Sequence, residues 1–213
     1  MRRVLTFLAA LAALLLAIPA TAQTPDATPA GDELAGLEYY AGRQYAPDPA
    51  VGIDRENPGV FQVSARVYLF DSQENADARW DSTIKSEIVE SDIPTGSDNV
   101  EFEEAEVDDL GDRAFVTTLA ATTPEGDTGY FRLLYVQEGT ALYIVSAIAG
   151  SEEAIAIVDT IALEIVEREP GEGDGTFQED GSSSGGVWDI FPATGDEVLD
   201  GLIAFADYEI TEP

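Results

Sequence analysis

The stretch VFQVSARVYLFDSQENADARW, residues 60–80, contains the two periodicities that decide the fold class. In its first half Val63, Ala65, Val67 and Leu69 fall on one face, and the residues between them fall on the other. This period of two is typical of a half-buried strand. The second half changes to helical spacing, so the stretch predicts a strand followed at once by a helix.

The helix signal starts at Asp71, which the capping-box pattern predicts as the N-cap, with Glu74 reaching back from the first turn. Apolar residues then recur at every fourth position, and a stripe of that kind predicts a helix packed on a sheet by one face. The stripe consists of Ala76, Trp80, Ile84 and Ile88.

Four strand-like runs follow, at 100–107, 114–121, 130–137 and 141–149. The connections between them are short and rich in Gly and Asp. Such connections allow only antiparallel neighbours, because a parallel crossover needs about a dozen residues or more. In the first run Val100 and Phe102 are out of phase with Ala105 and Val107, so we expect a β-bulge near residues 103 and 104.

A second helix is predicted after Ser151, whose side chain is suited to cap it. Its apolar face consists of Ile155, Val158, Ala162 and Ile165. The element order is then β-α-β-β-β-β-α. Since each helix has one apolar face, we expect an α+β fold, with a twisted antiparallel sheet of about five strands and both helices packed on one face of it.

Less regular segments flank this core. Within the predicted domain, 32–169, residues 32–59 read as an irregular aromatic lead-in, because they contain several Gly and X-Pro turns. Residues 170–186 read as a flexible Gly/Ser/acidic linker. The apolar tail 187–213 resembles a partial repeat of 31–41, and its apolar side chains need a partner surface on this domain or on another molecule.

The chain begins with the pattern of an export signal. A basic start is followed by an almost uninterrupted apolar run, 4–18, and by small residues ending at Ala22. The run is shorter than the roughly 20 apolar residues of a membrane anchor, so we predict cleavage after Ala22 and a secreted or extracytoplasmic mature protein. Residues 23–31, rich in Pro, Thr and Ala, are predicted to form a disordered linker.

The charge is strongly acidic, with 42 acidic and 10 basic residues and a net charge of −32 at pH 7. Loss of the predicted signal removes two of the basic residues. Nucleic acids and anionic lipids are bound through Lys and Arg, so this charge argues against either as a partner. We interpret the acidity as a means of staying soluble.

The chemistry open to the chain is narrow, because it contains no His and no Cys. A Ser-His-Asp triad, a thiol nucleophile and an imidazole-ligated zinc ion are therefore excluded. Ser82 and Lys85 match the S-x-x-K motif of serine β-lactamases, and residues 97–99 match their S-D-N. The third element of that family, K-T-G, is impossible because Lys85 is the only lysine. We therefore interpret the two matches as a coincidence.

Acidic clusters are the remaining candidates for a metal site. There are two such clusters: Asp108, Asp109 and Asp112, and Asp174, Glu179 and Asp180. Neither of them has the spacing of a calcium-binding loop. We interpret the first cluster as a hairpin turn and the second as part of the solvated linker. We therefore predict no catalytic, cofactor-binding or metal-ligating residue.

Aromatic side chains could line a ligand groove, as they do in sugar and peptide binders. Trp80 has helical spacing and is predicted to lie in the core. The tyrosines are open candidates, because no regular pattern buries the lead-in. The candidates are Tyr39, Tyr40, Tyr45, Trp80 and Trp188.

The segment 60–167 resembles secreted bacterial α+β domains of the Mog1/PsbP-like type, which include LpqN-type lipoproteins and kinase-sensor ectodomains. The resemblance lies in VYLFDSQENADARW (67–80), LGDRAF (110–115), LLYVQEGTALYIVSAIAG (133–150) and EEAIAIVDTIALEIVE (152–167). It covers about half of the chain and includes no catalytic motif. It implies a binding or accessory role and transfers no functional residue.

Three functional hypotheses follow. The first is a secreted, non-catalytic binding or accessory module for a small molecule or an envelope component. The second is an extracellular hydrolase that uses a pair of carboxylates. The third is a structural domain that docks to a protein partner through residues 187–213.

Overall fold

The computed structural model describes residues 35–50, 59–84, 99–122, 126–169, 171, 175–177, 183–199 and 201–210. The predicted signal peptide (1–22), the linker 23–31 and Ile88 lie outside these residues.

The described strands are β1 (Leu37–Pro47), β2 (Val60–Phe70), β3 (Asn99–Val107), β4 (Arg113–Thr122), β5 (Thr128–Glu138), β6 (Ala141–Ala149), β7 (Thr176–Phe177), β8 (Ser183–Ser184) and β9 (Leu202–Ile210). The helices are α1 (Gln73–Ile84), α2 (Glu152–Ile155) and α3 (Ile157–Glu167), with short 3₁₀ turns at Gly186–Ile190 and Glu197–Leu199.

Seven of these strands form one sheet in the order β3-β4-β5-β6-β2-β1-β9, and every neighbouring pair is antiparallel. The α+β class and the antiparallel sheet are confirmed. The predicted count of about five strands is wrong, because β1 and β9 extend the sheet beyond β2. The predicted element order therefore lacks a strand at each end.

The strand β1 lies in the segment that was expected to be irregular. It contacts β2 on one side and β9 on the other, so its backbone is paired on both edges. Alternation is hidden here because both of its faces are covered: Tyr40 lies on one face, and Ala41 and Tyr45 lie on the other. A strand buried on both faces lacks the polar positions that make a period of two visible.

The bulge expected near residues 103 and 104 is absent, because β3 pairs with β4 in unbroken register. β3 lies at the sheet edge, and Glu103, Glu104 and Ala105 are all exposed. Where both faces meet solvent, burial does not require apolar residues to alternate. Register shifts occur instead in β1, β2 and β9, the last opposite Gln44 and Tyr45.

The two helical segments lie on opposite faces of the sheet, which corrects the expectation of one shared face. On one face, α1 places Ala76 and Trp80 in a core with Phe70 and Leu142. On the other face, α3 buries its apolar stripe in a second core. The helical periodicity shows that a helix has an apolar side, but it does not show which face of the sheet that side covers.

Caps position both helices. Ser72 rather than Asp71 caps α1, since its Oγ accepts a hydrogen bond from the backbone N–H of Asn75 at 3.4 Å. Asp71 instead accepts from the Asn75 side chain at 2.7 Å. Ser151 caps α2 as predicted, accepting from the N–H of Ala154 at 3.2 Å. The second helix is interrupted at Ala156, and the four residues of its predicted apolar face are all buried.

The C-terminal tail folds back on this domain. Its largest side chains, Trp188, Ile190 and Phe191, are each at most 2% exposed and join the α3-side core. Strand β9 then pairs with β1, so the two segments aligned as a partial repeat are neighbours in one sheet. Within the predicted linker 170–186, the described residues include the small β7–β8 pair.

Candidate functional site

The aromatic residues singled out from the sequence do not come together. Tyr39, Tyr45 and Trp188 lie on the α3 face, where Tyr45 and Trp188 are fully buried. Tyr40 and Trp80 lie on the α1 face. The prediction that Trp80 belongs to the core is confirmed. Of the five candidates, Tyr40 alone adjoins the cluster described next.

Three residues in register across β2, β1 and β9 form the centre of a polar cluster on the α1 face. Gly42 lies opposite Arg66 on one side and opposite Tyr208 on the other. Because Gly42 has no side chain, the phenol of Tyr208 lies across it, and a Cβ atom at Gly42 would overlap the Tyr208 ring. The Tyr208 hydroxyl therefore reaches Arg66 over two strand spacings, roughly 10 Å.

Two hydroxyl groups contact the guanidinium of Arg66 at Nε. Its Nε donates to the Tyr208 hydroxyl at 3.1 Å and more weakly to Ser64 Oγ at 3.4 Å. The two hydroxyl oxygens are 3.2 Å apart and share one further hydrogen bond. Ser64 is 2% exposed, whereas Arg66 keeps part of its surface accessible.

Aromatic rings form the walls of the cluster. Tyr40 and Tyr68 face each other across β1 and β2, with ring centroids 4.5 Å apart and planes tilted by 56°. The Tyr208 ring lies 5.9 Å from that of Tyr40. The guanidinium of Arg79, on α1, stacks over Tyr68 at 5.5 Å. We call Tyr40, Ser64, Arg66, Tyr68 and Tyr208 the Arg66 cluster.

The charge of Arg66 has no carboxylate partner among the described residues. Four other described arginines each form an ion pair with a carboxylate. The pairs are Arg43–Asp207, Arg113–Asp77, Arg132–Asp159, and Arg168 with both Glu164 and Asp196. Within the described part of the chain, the Nη1 and Nη2 atoms of Arg66 donate no hydrogen bond.

Arg66 keeps its positive charge near pH 7. Burial lowers the pKa of Arg66, but attraction to the phenols of Tyr208, Tyr40 and Tyr68 leaves it above its ordinary value. Burial is also the main reason that the pKa of Tyr40 is raised. Arg66 is therefore a cation at neutral pH.

The buried arginine on the opposite face has a different environment. Arg43 donates to Asp207 from Nε at 2.7 Å and from Nη2 at 2.9 Å, to the Phe191 carbonyl at 3.3 Å and to the Ser183 carbonyl at 2.9 Å. These bonds connect β1 to β8, the 3₁₀ turn and β9. Arg43 therefore holds the C-terminal tail, with four of its five N–H donors used by described residues.

The acidic cluster at residues 108–112 lies in the β3–β4 turn, as its hairpin interpretation predicted. It borders a cavity of about 470 Å³ beside Trp80 and Arg113. Asp112 accepts the backbone N–H of Gly139 at 2.8 Å and so connects this turn to the β5–β6 turn. Among the described residues, no three Asp or Glu side chains are grouped as metal ligands. All three members of the second cluster, Asp174, Glu179 and Asp180, lie outside the described residues.

Sequence reasoning missed the Arg66 cluster because β2 was expected to have one polar, solvated face. Arg66 and Tyr68 alternate with the apolar positions, and this pattern is also that of a strand facing water. One signal was present in the sequence: Tyr68 and Phe70 fall on this second face of β2, and aromatic residues in strands favour burial. Telling a buried face of β2 from a solvated one required knowledge of β1 and β9, and the sequence pattern did not reveal these two strands.

Comparisons with known proteins add no relative. A scan of the chain against protein-family models found no match, and a search of curated proteins found none either. No helix within the described ranges is long and apolar enough to cross a membrane.

Proposed function

We propose that the mature chain is an exported, non-catalytic binding module that takes a small molecule or an envelope component at the Arg66 cluster. The observation that supports this proposal is the partly accessible Arg66 cation, which is enclosed by hydroxyl groups and rings. Burying a cation without an anion lowers stability, and such arrangements are typical of functional sites.

Catalysis gains no support from the carboxyl groups whose pKa values are shifted. A general acid in a hydrolase needs a raised pKa. The pKa of Asp71 is lowered by hydrogen bonds from Asn75 and Ser72, and the pKa of Asp196 is lowered by its hydrogen bond from Arg168. Both groups are therefore more acidic than usual, which does not suit them to that role.

The buried position of the tail bears on the third hypothesis. Its largest apolar side chains lie in the core of their own chain. A protein partner would have to displace them before it could contact them. The tail is therefore better explained as part of the domain, and the proposal does not need a protein partner.

Export is tested on the full-length chain in a bacterial host. We expect the protein to leave the cytoplasm, and we expect mass spectrometry to show an N-terminus at Gln23, because the residues before it have the pattern of a cleaved signal. A cytoplasmic chain that still begins at Met1 would contradict this part of the proposal.

Binding is tested by a thermal-shift screen of the mature protein against metabolites and glycans, both neutral and charged. Any stabilising compound should lose its effect in Tyr208→Leu, which removes a wall of the cluster. Tyr130→Leu is the matched control, because Tyr130 is also partly buried but packs on the α3 face. A ligand that Tyr208→Leu leaves unaffected, or one that the protein turns over, would argue against the proposal.

A further inference from the structure

We propose that the Arg66 cluster recognises its ligand through a single carboxylate group. This inference rests on the proposed function and deepens it, because it assigns a ligand class to the same site. It is carried by the hydrogen-bonding groups of the cluster that have no partner, by the charge of the chain and by the rings beside Arg66.

The guanidinium has one side occupied and one side free. Nε of Arg66 is used by Tyr208 and Ser64, while Nη1 and Nη2 donate to no described residue. These two nitrogens form the end of the guanidinium fork. Arginine binds carboxylates through two parallel N–H bonds of this kind, and the fit is geometric as well as electrostatic.

The hydroxyl groups supply a further donor. Tyr208 and Ser64 have one hydroxyl hydrogen each, and a single hydrogen bond joins their two oxygens. Only one of these two hydrogens is used in that bond, whichever of the two groups donates. The other lies beside Nε of Arg66, where a ligand oxygen can accept it.

Charge favours one negative charge over two. The chain has a net charge of −32, and four other arginines are already paired with carboxylates. Arg66 can balance a single anionic group. A phosphate dianion would leave one charge uncompensated in an acidic protein, and this is unfavourable at a partly buried position.

The rings determine what the carboxylate is attached to. The Tyr40 ring contacts the rings of both Tyr68 and Tyr208, and the three present aromatic surface beside the cation. Small-molecule sites combine such surface with a few polar groups that fix orientation. The ligand class is therefore a small monocarboxylate with a planar or apolar body.

Benzoate is the probe, and benzamide is its neutral counterpart of the same shape. We expect benzoate at millimolar concentration to raise the melting temperature of the mature protein and benzamide to have little effect. Titration calorimetry on Arg66→Met should show benzoate affinity reduced roughly ten- to hundredfold, since charge-assisted hydrogen bonds are lost. Arg66→Lys, which keeps the charge without the fork, should bind with intermediate affinity.

Arg113→Met is the control, because Arg113 lies on the same face and is already paired with Asp77. It should leave benzoate binding intact. In the absence of ligand, Arg66→Met should melt at or above the wild-type temperature, since no ion pair is lost. A structural arginine would behave in the opposite way, and its replacement would lower the melting temperature.

The outcomes separate the inference from the function on which it rests. If benzamide binds as well as benzoate and Arg66→Met still binds both, the cluster is a binding site but does not recognise the carboxylate. If benzoate and acetate both fail to stabilise the wild type while inorganic phosphate succeeds, the ligand class is wrong. If no compound in the wider screen binds, the proposed function itself fails.

Discussion

At the scale of single residues, the missing side chain of Gly42 determines the geometry of the Arg66 cluster. Strands β2 and β9 are separated by β1, so Arg66 and Tyr208 are not neighbours in the sheet. They meet because the Tyr208 ring lies over the Gly42 backbone. Any larger residue at position 42 would fill the space that the phenol occupies.

We predict that Gly42→Ala lowers the free energy of unfolding by about 1–3 kcal/mol, because overpacking displaces the Tyr208 ring. Urea denaturation measures this change. Gly59→Ala is the control, since a Cβ atom there meets nothing within 4 Å. Equal stability of the two variants would show that the Tyr208 ring is not held over Gly42.

At the scale of elements, the outcome of the sequence predictions depended on how clearly the local sequence marks the two ends of an element. β2 and β4–β6 were predicted well because strand residues and short turns gave clear boundaries. β1 and β9 were missed. β1 is covered on both faces and therefore shows no clear alternation, and β9 follows a Gly-rich segment. Their pairing connects residues about 160 positions apart, and local pattern contains no information about such contacts.

The candidate site was less predictable than the fold. Tyr40 was named from the sequence, but Ser64, Arg66 and Tyr68 were assigned only to the second face of β2, and the role of Tyr208 was not anticipated. Each of these residues is ordinary in its own strand. Their chemistry arises from the register of β2, β1 and β9, which depends on tertiary structure.

The tail offers a direct test of docking within the same chain. Trp188→Ala should lower the free energy of unfolding by about 3–5 kcal/mol, because a fully buried indole is removed. Phe205 lies in the same tail and is 51% exposed. Phe205→Ala should therefore change the free energy of unfolding by no more than about 0.5 kcal/mol. Unfolding in denaturant, measured at several protein concentrations, compares the free energies of unfolding of the two variants.

A tail that docks on another molecule would give a different result. The midpoint of unfolding would then rise with protein concentration, as it does for associating subunits. The Trp188 variant would also match the wild type when measured at high dilution. Either result would contradict the buried position of the tail in its own chain.

At the scale of the whole molecule, two cores lie on opposite faces of one sheet, and tyrosines occur in both. Burial is the largest cause of their raised pKa values, on the α1 face for Tyr40 and Tyr135 and on the α3 face for Tyr39, Tyr45 and Tyr143. For Tyr135 the pKa is raised to about 12. Both cores therefore favour neutral phenols.

This distribution predicts loss of stability at alkaline pH. A folded pKa above the unfolded value of about 10 contributes stability that is fully present below pH 10 and is lost as the pH rises toward 12. Each such phenol can lower the free energy of unfolding by at most about 1.4 kcal/mol per pH unit. Urea denaturation across this range should show the decline, and Tyr135→Phe should make it shallower. An unchanged free energy of unfolding up to pH 12 would contradict the prediction.

The position of β1 between β2 and β9 also determines when the fold can be completed. A nascent chain contains β1 long before its last partner has been synthesised, and through that interval one edge of β1 has no strand beside it. The uncovered edge can pair with other polypeptides, and pairing between distant segments slows folding. The seven-stranded sheet is complete only once β9 is available to pair with β1.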